Sequence, residues 1–266
     1  MAIEVFDRYE KKFLLTKEKY EIVKEKLEGK MVADKHSKNG GYSICNVYYD
    51  TEHDDLIARS VEKPVYKEKL RLRSYGVPKL SDDVFLEIKK KFDGKVTKRR
   101  ITLPLEEALD FLENGKKPKH KVNEQIYKEL CYFTQVEYEL LPKLYLSYDR
   151  EAFFGKDDPD FRITFDNNIR SRRENVALQD GNYGRQLLGE DVHLMEIKVS
   201  NAVPLWLARL LSENEIYSQS FSKYGTVYKN EHVNDLGLEG EIICLNQYLA
   251  QAPQQGFRFQ QHSFVS

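Results

Sequence analysis

Seven segments of this chain alternate in period two between apolar or aromatic residues and polar residues, and this alternation constrains the fold more than any other feature. Successive side chains of a β-strand point to opposite faces, so each segment predicts a strand with one apolar and one polar face. The predicted strands cover residues 42–50, 66–75, 84–92, 98–103, 144–150, 161–166 and 193–199.

Helical spacing is less common along the chain. Apolar residues recur at intervals of three and four residues in 16–28, 105–113 and 204–212, and a fourth helix is predicted around 123–135. Strands outnumber helices and do not alternate regularly with them, which predicts an antiparallel α+β fold. No linker divides residues 1–235, so we predict one domain there, followed by a Gln-rich, partly disordered extension over 236–266.

The segment 66–75, YKEKLRLRSY, carries its positive charges on a single face. Strand alternation places Lys67, Lys69, Arg71 and Arg73 together, with two leucines on the opposite face. Like charges directly opposite each other on neighbouring strands repel, so a solvated face normally mixes both signs. One such strand is compatible with an ordinary solvated surface, whereas a whole face of them requires a compensating polyanion.

Other predicted strands extend this basic face. In VFLEIKKKF, alternation groups Lys89 and Lys91 with Glu87, and in TKRRITL it groups Lys98 with Arg100. In later predicted strands, alternation places single cations on the polar face at Arg150, Arg162 and Lys198. The whole chain has 42 Lys and Arg against 43 Asp and Glu, a net charge of -1, so the excess of cations is local. The near-neutral total argues against a nucleic-acid binder.

A sheet that closes with these faces inward would form a basic tunnel. Its lining suits a chain of phosphate groups, because Arg binds phosphate oxygens bidentately and Lys supplies a mobile point charge. Inward carboxylates are expected at Glu87, Glu196 and Glu10. A carboxylate among phosphate-binding cations is most simply explained as a ligand for a hard divalent cation, which bridges protein and phosphate oxygens.

The cysteines show no disulfide or metal-binding pattern. Cys45, Cys131 and Cys244 are far apart and odd in number, which argues against a disulfide framework and a structural zinc site. The N-terminal residues are charged too early for a signal peptide, and the most apolar stretch, 203–211, is short. We therefore expect a cytoplasmic protein with no direct membrane insertion.

Eight motifs follow one another between Arg8 and Tyr224: RYEKKF, YKEKLRLRSYG, FLEIKKK, KRR, SYDREAF, FRITFD, LMEIKVS and SFSKYG. In this order they resemble the VTC-type polyphosphate polymerase domain of the triphosphate tunnel metalloenzyme (CYTH-like) superfamily. The resemblance implies a closed antiparallel eight-stranded β-tunnel with helices packed on the outside. It also implies an ATP-dependent enzyme that transfers the γ-phosphoryl group of ATP to a growing inorganic polyphosphate chain and releases ADP.

The resemblance also assigns roles to individual residues. Those implied to act in phosphoryl transfer are Lys69, Arg71, Arg73, Lys89, Arg150, Arg162 and Lys198. Those implied to bind substrate are Arg8, Lys12, Lys67, Lys91, Lys98, Arg100, Ser222 and Lys223. Glu196 is the implied ligand of Mn²⁺ or Mg²⁺. The implied partners are ATP and inorganic polyphosphate, with no nucleic acid, and a membrane-protein partner is a further expectation.

Two points stay open. Tunnel triphosphatases carry E-x-E-x-K on the first strand, and Arg8 stands where the first of those glutamates would be, which favours phosphoryl transfer over hydrolysis. A metal-dependent tunnel triphosphatase and a non-catalytic module that binds polyphosphate or inositol phosphates remain alternatives. Within KRR, strand parity favours Lys98 and Arg100 over Arg99 as the inward residues, but a shift of one residue would reverse this choice.

Overall fold

The computed structural model describes residues 9–235 except 36, 38, 39 and 94. These residues form an antiparallel sheet of ten strands with six α-helices, which is the predicted α+β class. Arg8 and the extension predicted over 236–266 lie outside the described residues.

All seven predicted strands are present. The ten strands are β1 (Tyr9–Thr16), β2 (Met31–Ala33), β3 (Tyr42–Asp50), β4 (Tyr66–Tyr75), β5 (Asp83–Phe92), β6 (Lys95–Pro104), β7 (Leu141–Gly155), β8 (Arg162–Arg172), β9 (Arg185–Gln186) and β10 (Val192–Val199). β2 and β9 have only three and two residues, too few for an alternating pattern to be recognised in the sequence.

Eight strands follow one another in the order β1-β10-β8-β7-β3-β4-β5-β6, while β2 pairs with β7 and β9 pairs with β8. This eight-stranded path agrees with the number implied by the sequence motifs. The predicted closure of the tunnel is not confirmed, because no hydrogen-bonded ladder between described residues joins β1 to β6.

Four helices lie where the helical spacing predicted them: α1 (Lys17–Leu27), α3 (Leu105–Asn114), α4 (Glu124–Cys131) and α5 (Leu205–Glu213). Two others, α2 (Asp55–Val61) and α6 (Lys223–Asp235), were not predicted. α2 is short and begins where the carboxylate of Asp50 accepts hydrogen bonds from the backbone N–H groups of Leu56 and Ile57, at 2.8 and 3.0 Å. The stabilising carboxylate thus belongs to the preceding strand, outside the usual capping position.

The mainly apolar faces of the strands pack outward against the helices. One apolar cluster joins β4, β5 and β6 to α3 and α4, and it contains Leu70, Leu86, Ile101, Phe111 and Leu130. A second cluster joins β1, β8 and β10 to α1 and α5. The leucines opposite the cations of β4 are therefore core residues, as the alternation predicted.

A third apolar cluster lies on the same face of the sheet as the cations. Tyr48 is directly opposite Arg71 in the ladder between β3 and β4, and it packs with Ile44 and Leu146. Phe221 and Tyr224, at the start of α6, complete this cluster. The inner face that was predicted to be basic is therefore only partly so, because α6 and apolar strand residues fill one portion of it.

Candidate functional site

The two ends of the strand order approach each other across the charged face. β1 and β5 are six positions apart in the order, which would separate them by about 29 Å in a flat sheet. Yet Glu10 and Lys12 of β1 both shift the pKa of Lys89 on β5, so these charges lie close together. The sheet is therefore strongly curled, and we call the interior that its charged face surrounds the lumen.

The segment that leads into α6 crosses the lumen. Lys12 Nζ donates to the carbonyl oxygen of Phe221 at 3.0 Å, and Lys69 Nζ donates to Ser222 Oγ at 3.4 Å. Ser222 Oγ also accepts a hydrogen bond from the backbone N–H of Gly225 at 3.2 Å, which caps α6. The SFSKYG motif thus places Ser222 and Lys223 among cations of several strands.

One set of lumen cations is held by buried carboxylates. We call it the arginine region, and it consists of Arg71, Arg73, Arg150, Lys98 and Lys223 together with Glu87 and Asp166. Two carboxylates from different strands organise it, and each contacts cations from at least two other chain segments. The region therefore forms only when the sheet is assembled.

Glu87 on β5 organises the first half of the arginine region. Its oxygens lie 2.7 Å from Arg71 Nε, 2.7 Å from Lys98 Nζ and 3.8 Å from Arg73 Nε. Burial would raise the pKa of the Glu87 carboxyl, but these three cations hold that pKa well below its usual range. Glu87 is therefore a permanent anion that fixes the positions of the cationic groups around it.

Asp166 on β8 organises the second half. Arg150 donates to both of its oxygens, at 2.6 and 2.7 Å, and Lys223 Nζ donates to Oδ2 at 2.6 Å. The Asp166 side chain is fully buried. Burial would raise its pKa, yet Arg150 and Lys223 lower it, so the carboxylate stays ionised.

Two neutral side chains orient Arg73. Asn46, which is fully buried on β3, accepts a hydrogen bond from Arg73 Nε at 2.9 Å and donates to the carbonyl oxygen of Leu146 at 3.0 Å. The hydroxyl group of Tyr148 accepts from Arg73 Nη2 at 3.3 Å. Because neutral groups satisfy part of its hydrogen-bonding capacity, Arg73 keeps most of its charge available for an anionic ligand.

Glu196 on β10 is held more loosely than Glu87 and Asp166. Lys12, Lys198, Arg150 and Lys223 surround its oxygens at 3.5, 3.5, 3.6 and 3.7 Å. Burial would raise its pKa, but the surrounding cations hold that pKa well below the usual range. Glu196 is therefore an ionised carboxylate without the short ion pairs of the arginine region.

A second set of lumen cations has no carboxylate partners. We call it the lysine ladder, and it consists of Lys67, Lys69, Lys89 and Lys91. Lys67 lies opposite Lys91, and Lys69 lies opposite Lys89, on β4 and β5. No ion pair joins any of these four to a carboxylate within the part of the chain that the structure describes. Besides the hydrogen bond from Lys69 to Ser222, Lys67 Nζ of the lysine ladder donates a hydrogen bond to the carbonyl oxygen of Ser60, at 3.1 Å.

Burial and repulsion between neighbouring cations change the protonation of two amines of the lysine ladder. Burial, with repulsion from Lys67, Lys89 and Lys12, lowers the pKa of Lys69 to about 7. Burial also lowers the pKa of Lys89 to about 8, although Glu10 acts in the opposite direction. The free protein therefore holds amines that are partly neutral near pH 7 to 8.

The remaining predicted residues lie at the edges of these groups. Lys98 points to Glu87, whereas Arg99 points outward and pairs with Glu129 of α4 at 3.3 Å, so the register within KRR is the one that parity favoured. Arg100 lies on the lumen side over the ring of Phe85, at 4.7 Å. Arg162 Nη2 lies 3.5 Å from the hydroxyl of Tyr42, and Lys198 is 3.7 Å from Glu10. Arg8 lies outside the described residues.

Sequence reasoning did not single out Asp166, Asn46 or Tyr148. Strand alternation in FRITFD places Asp166 on the same face as Arg162, so its inward position could have been predicted from the sequence. Its partner Lys223 is 57 residues away, and no local pattern connects them. Asn46 and Tyr148 lie in segments whose sequence pattern predicts ordinary packed strands.

No group of three His, Cys, Asp or Glu side chains among the described residues is arranged to hold a metal ion. A divalent cation in the lumen would therefore need oxygen ligands from its substrate as well as from the protein. Glu196 has more capacity for such a ligand role than Glu87 or Asp166, because its shortest ion pair is 3.5 Å whereas theirs are 2.6–2.7 Å. Separately, no helix within the described part of the chain combines the length and apolarity needed to cross a bilayer.

Comparison with known proteins identifies the fold and the family. An adenylate cyclase candidate from Bacillus halodurans is 16% identical with a TM-score of 0.53, and the match covers 83% of this chain and 96% of that one. An adenylyl cyclase candidate from Hippeastrum, described as having a dominant triphosphatase activity, is 14% identical with a TM-score of 0.53, covering 85% and 96%. A search of curated proteins gives no significant match.

A family model described as the VTC domain matches residues 7–232. This range contains all eight motifs, the arginine region and the lysine ladder. The two structural neighbours match this chain in overall fold at low sequence identity, so they support the fold and leave the reaction to be argued from the site. The chain therefore belongs to the VTC domain family.

Proposed function

We propose that this protein synthesises inorganic polyphosphate by transferring the γ-phosphoryl group of ATP to the end of a phosphate chain. The observation that carries the proposal is the continuity of the two cation sets on β4, where the lysine ladder runs directly into the arginine region. This row of cations on β4 has more positive charges than nearby carboxylates. An extended chain of phosphates can contact more of these cations than one small anion can. Membership of the VTC family supports the same reaction.

In the proposed reaction, a terminal oxygen of the phosphate chain attacks the γ-phosphorus of ATP in line. The new P–O bond forms while the bond from the γ-phosphorus to the β–γ bridging oxygen breaks, and ADP leaves. The attacking oxygen is already ionised, so no side chain has to remove a proton. The protein's task is then to position two phosphate chains and to stabilise the charge of the transition state.

The arginine region suits this task because its cationic groups are already positioned. Glu87 holds Arg71 and Lys98, and Asp166 holds Arg150 and Lys223, through ion pairs of 2.6–2.7 Å. Donors that are already oriented need little reorganisation as charge develops on the transferred group. The neutral contacts of Arg73 add a further fixed donor.

The divalent cation that the family implies fits Glu196. Mg²⁺ and ions of similar preference are commonly bound by one or two carboxylates, with phosphate oxygens and water filling the remaining positions. Glu196 is ionised, inward-facing and free of short ion pairs, so it can supply such an oxygen to Mn²⁺ or Mg²⁺. A bound cation would neutralise part of the charge on the phosphates.

A metal-dependent triphosphatase is the second candidate function. It is favoured by the likeness in fold to the Hippeastrum protein, whose description includes a dominant triphosphatase activity. Purified protein incubated with ATP and Mn²⁺ separates the candidates. A ladder of polyphosphate on a gel together with ADP supports the polymerase, whereas orthophosphate and no ladder would establish hydrolysis. Tight polyphosphate binding with no consumption of ATP would indicate a non-catalytic module.

Replacement of Glu196 tests the role proposed for the cation. We expect Glu196→Gln to lower Mn²⁺-dependent turnover by about 100-fold, because a hard cation loses its charged protein ligand. The affinity for polyphosphate should be unchanged or higher, since the change removes a negative charge from the lumen. The exposed Glu190→Gln is the matched control and should behave as wild type. Wild-type turnover of Glu196→Gln across a Mn²⁺ titration would show that Glu196 has only a structural role.

A further inference from the structure

Three aromatic rings lie at the end of β4, beyond the arginine region. Tyr75 follows Arg73 by two residues, so its side chain is on the same strand face and about 7 Å further along. Its ring centroid lies 5.5 Å from that of Tyr42 and 5.6 Å from that of Phe85, and both pairs are edge-to-face. Tyr75 is nevertheless 56% exposed. Two neighbouring rings therefore hold Tyr75 in place while leaving much of its surface open to solvent.

Arginine side chains surround this aromatic group. Arg100 lies over the ring of Phe85 at 4.7 Å, and Arg162 Nη2 lies 3.5 Å from the hydroxyl of Tyr42. Tyr42 is directly opposite Arg150 in the ladder between β3 and β7. Aromatic surface and phosphate-binding cations thus meet at one end of the lumen.

The two parts of a nucleotide require the two surfaces that meet here. A triphosphate needs several fixed cations, which the arginine region provides, and a base stacks on an exposed ring held by its neighbours. The spacing between Arg73 and Tyr75 is comparable to the distance between the phosphates and the base of one nucleotide. Inorganic polyphosphate has no group that would use the ring of Tyr75.

We propose that Tyr75, supported by Tyr42 and Phe85, is the stacking surface for the nucleobase of a nucleoside triphosphate whose phosphates bind in the arginine region. This inference rests on the proposed function and assigns an orientation to its substrate. The base lies at the Tyr75 end, and the γ-phosphate points along β4 toward the lysine ladder. The acceptor chain then occupies the ladder and meets the γ-phosphate from the opposite side, as in-line transfer requires.

Comparison of a nucleotide with a ligand that lacks a base tests this assignment. The probes are ATP and tripolyphosphate, titrated calorimetrically into wild type, Tyr75→Ala and Tyr75→Phe. We expect Tyr75→Ala to weaken ATP by about tenfold, because one base–aromatic stack is lost. Its affinity for tripolyphosphate should stay within about twofold of wild type, since no cation is removed. Tyr75→Phe keeps the ring and should bind ATP as wild type does.

The matched control is Tyr217→Ala, because Tyr217 is 74% exposed and lies between α5 and α6, outside the aromatic group. It should leave the affinities for both probes unchanged. Equal weakening of ATP and tripolyphosphate in Tyr75→Ala would overturn the inference, because Tyr75 would then shape the phosphate site. Unchanged ATP affinity would also overturn it, because the base would then lie elsewhere. Failure of wild type to bind either probe would refute the proposed function itself and this orientation with it.

Discussion

The arginine region and the lysine ladder meet on β4 and β5, yet their positive charges are balanced in different ways. Arg71 on β4 lies opposite Glu87 on β5, whereas Lys69, two residues earlier on β4, lies opposite Lys89. Glu87 and Asp166 neutralise part of the positive charge of the arginine region and hold its geometry without a ligand. The lysine ladder can be neutralised only by a ligand or by losing protons. One lumen can therefore combine a preformed anion site with a second site whose charge changes when a ligand binds.

The choice of side chain matches this division. Arg keeps its charge at any accessible pH, and its planar fork forms fixed bidentate contacts, so it suits a rigid site. Lys carries a mobile point charge whose pKa shifts readily on burial. A phosphate chain that must move by one unit after each transfer is better held by lysines than by fixed forks. We therefore expect the two regions to respond differently to mutation and to pH.

The largest expected effect is on stability, when a carboxylate of the arginine region is neutralised. Asp166→Asn leaves the buried Arg150 and Lys223 with only the more distant carboxylate of Glu196, and we expect the free energy of unfolding to fall by about 3–5 kcal/mol. Urea unfolding followed by circular dichroism measures this change. Added polyphosphate should restore part of the loss, because it supplies the missing negative charge. The exposed Asp157→Asn is the control, and a loss as small as that of the control would show that the pair does not hold the region together.

Removal of an arginine should have the next largest effect, this time on binding. Arg71→Ala removes a phosphate donor and leaves the buried Glu87 less neutralised, so we expect the affinities for ATP and polyphosphate to fall by about 100-fold. Calorimetric titration gives both values. Arg71→Ala combined with Glu87→Ala should recover part of the loss, because no unpaired carboxylate remains to repel phosphate. Arg99→Ala, on the outward side of the same sheet, should bind both ligands as wild type does.

The lysine ladder should make polyphosphate binding sensitive to pH. Lys69 in the free protein, with a pKa of about 7, is mostly neutral at pH 8. A bound polyanion favours the ammonium form, so binding takes up a proton, and affinity must fall as the pH rises. Each proton taken up corresponds to about tenfold in affinity per pH unit. Phosphate groups, whose second pKa is about 6, remain ionised over this interval.

Titrations at pH 8 and pH 9 in buffers of different ionisation enthalpy measure both the affinity and the proton uptake. Lys69→Arg is the matched variant, because arginine stays charged throughout the interval. It should keep the affinity of wild type at low pH and show less decline at pH 9. A wild-type affinity that does not change between the two pH values would contradict the contrast between the regions.

The smallest expected effect is a gain in stability when the ladder loses a charge. Lys69→Met removes a partly buried amine with no carboxylate partner, and we expect the free energy of unfolding to rise by about 1 kcal/mol at pH 6. Burial and neighbouring cations make the charged form of Lys69 costly in the folded state, and its pKa is therefore lowered to about 7. This cost disappears as the pH rises from about 7 toward the pKa of an exposed lysine. The gain should therefore be smaller at pH 9.

Urea unfolding at pH 6 and pH 9 checks this prediction. Lys11→Met, on the exposed side of β1, serves as the control and should leave the stability unchanged at both pH values. A loss of stability in Lys69→Met equal to that of Asp166→Asn would remove the distinction between the regions. Such a result would mean that the ladder, too, is held by contacts that stabilise its charge.

Much of the fold followed from patterns that act over a few residues. Alternation placed Leu70 and Leu72 in the core and Lys69 and Arg71 on the other face, because strand geometry alone decides which side a residue occupies. The helical spacing located α1, α3, α4 and α5 for the same local reason. α6 was not predicted, because its apolar residues, such as Tyr224 and Val227, pack onto a strand face for which the alternating pattern predicted only basic residues.

Local sequence patterns were sufficient to predict seven of the ten strands, the face on which each lumen cation lies and the family to which the chain belongs. Which of these cations are paired with carboxylates depends on the tertiary structure. Asp166 finds Lys223 across 57 residues, and Lys69 reaches Ser222 across 153. Such contacts depend on strand order and on the curl of the sheet, because these bring distant segments to one place. The alternating pattern carries no information about them, so the arginine region and the lysine ladder look alike in sequence and differ in the folded protein.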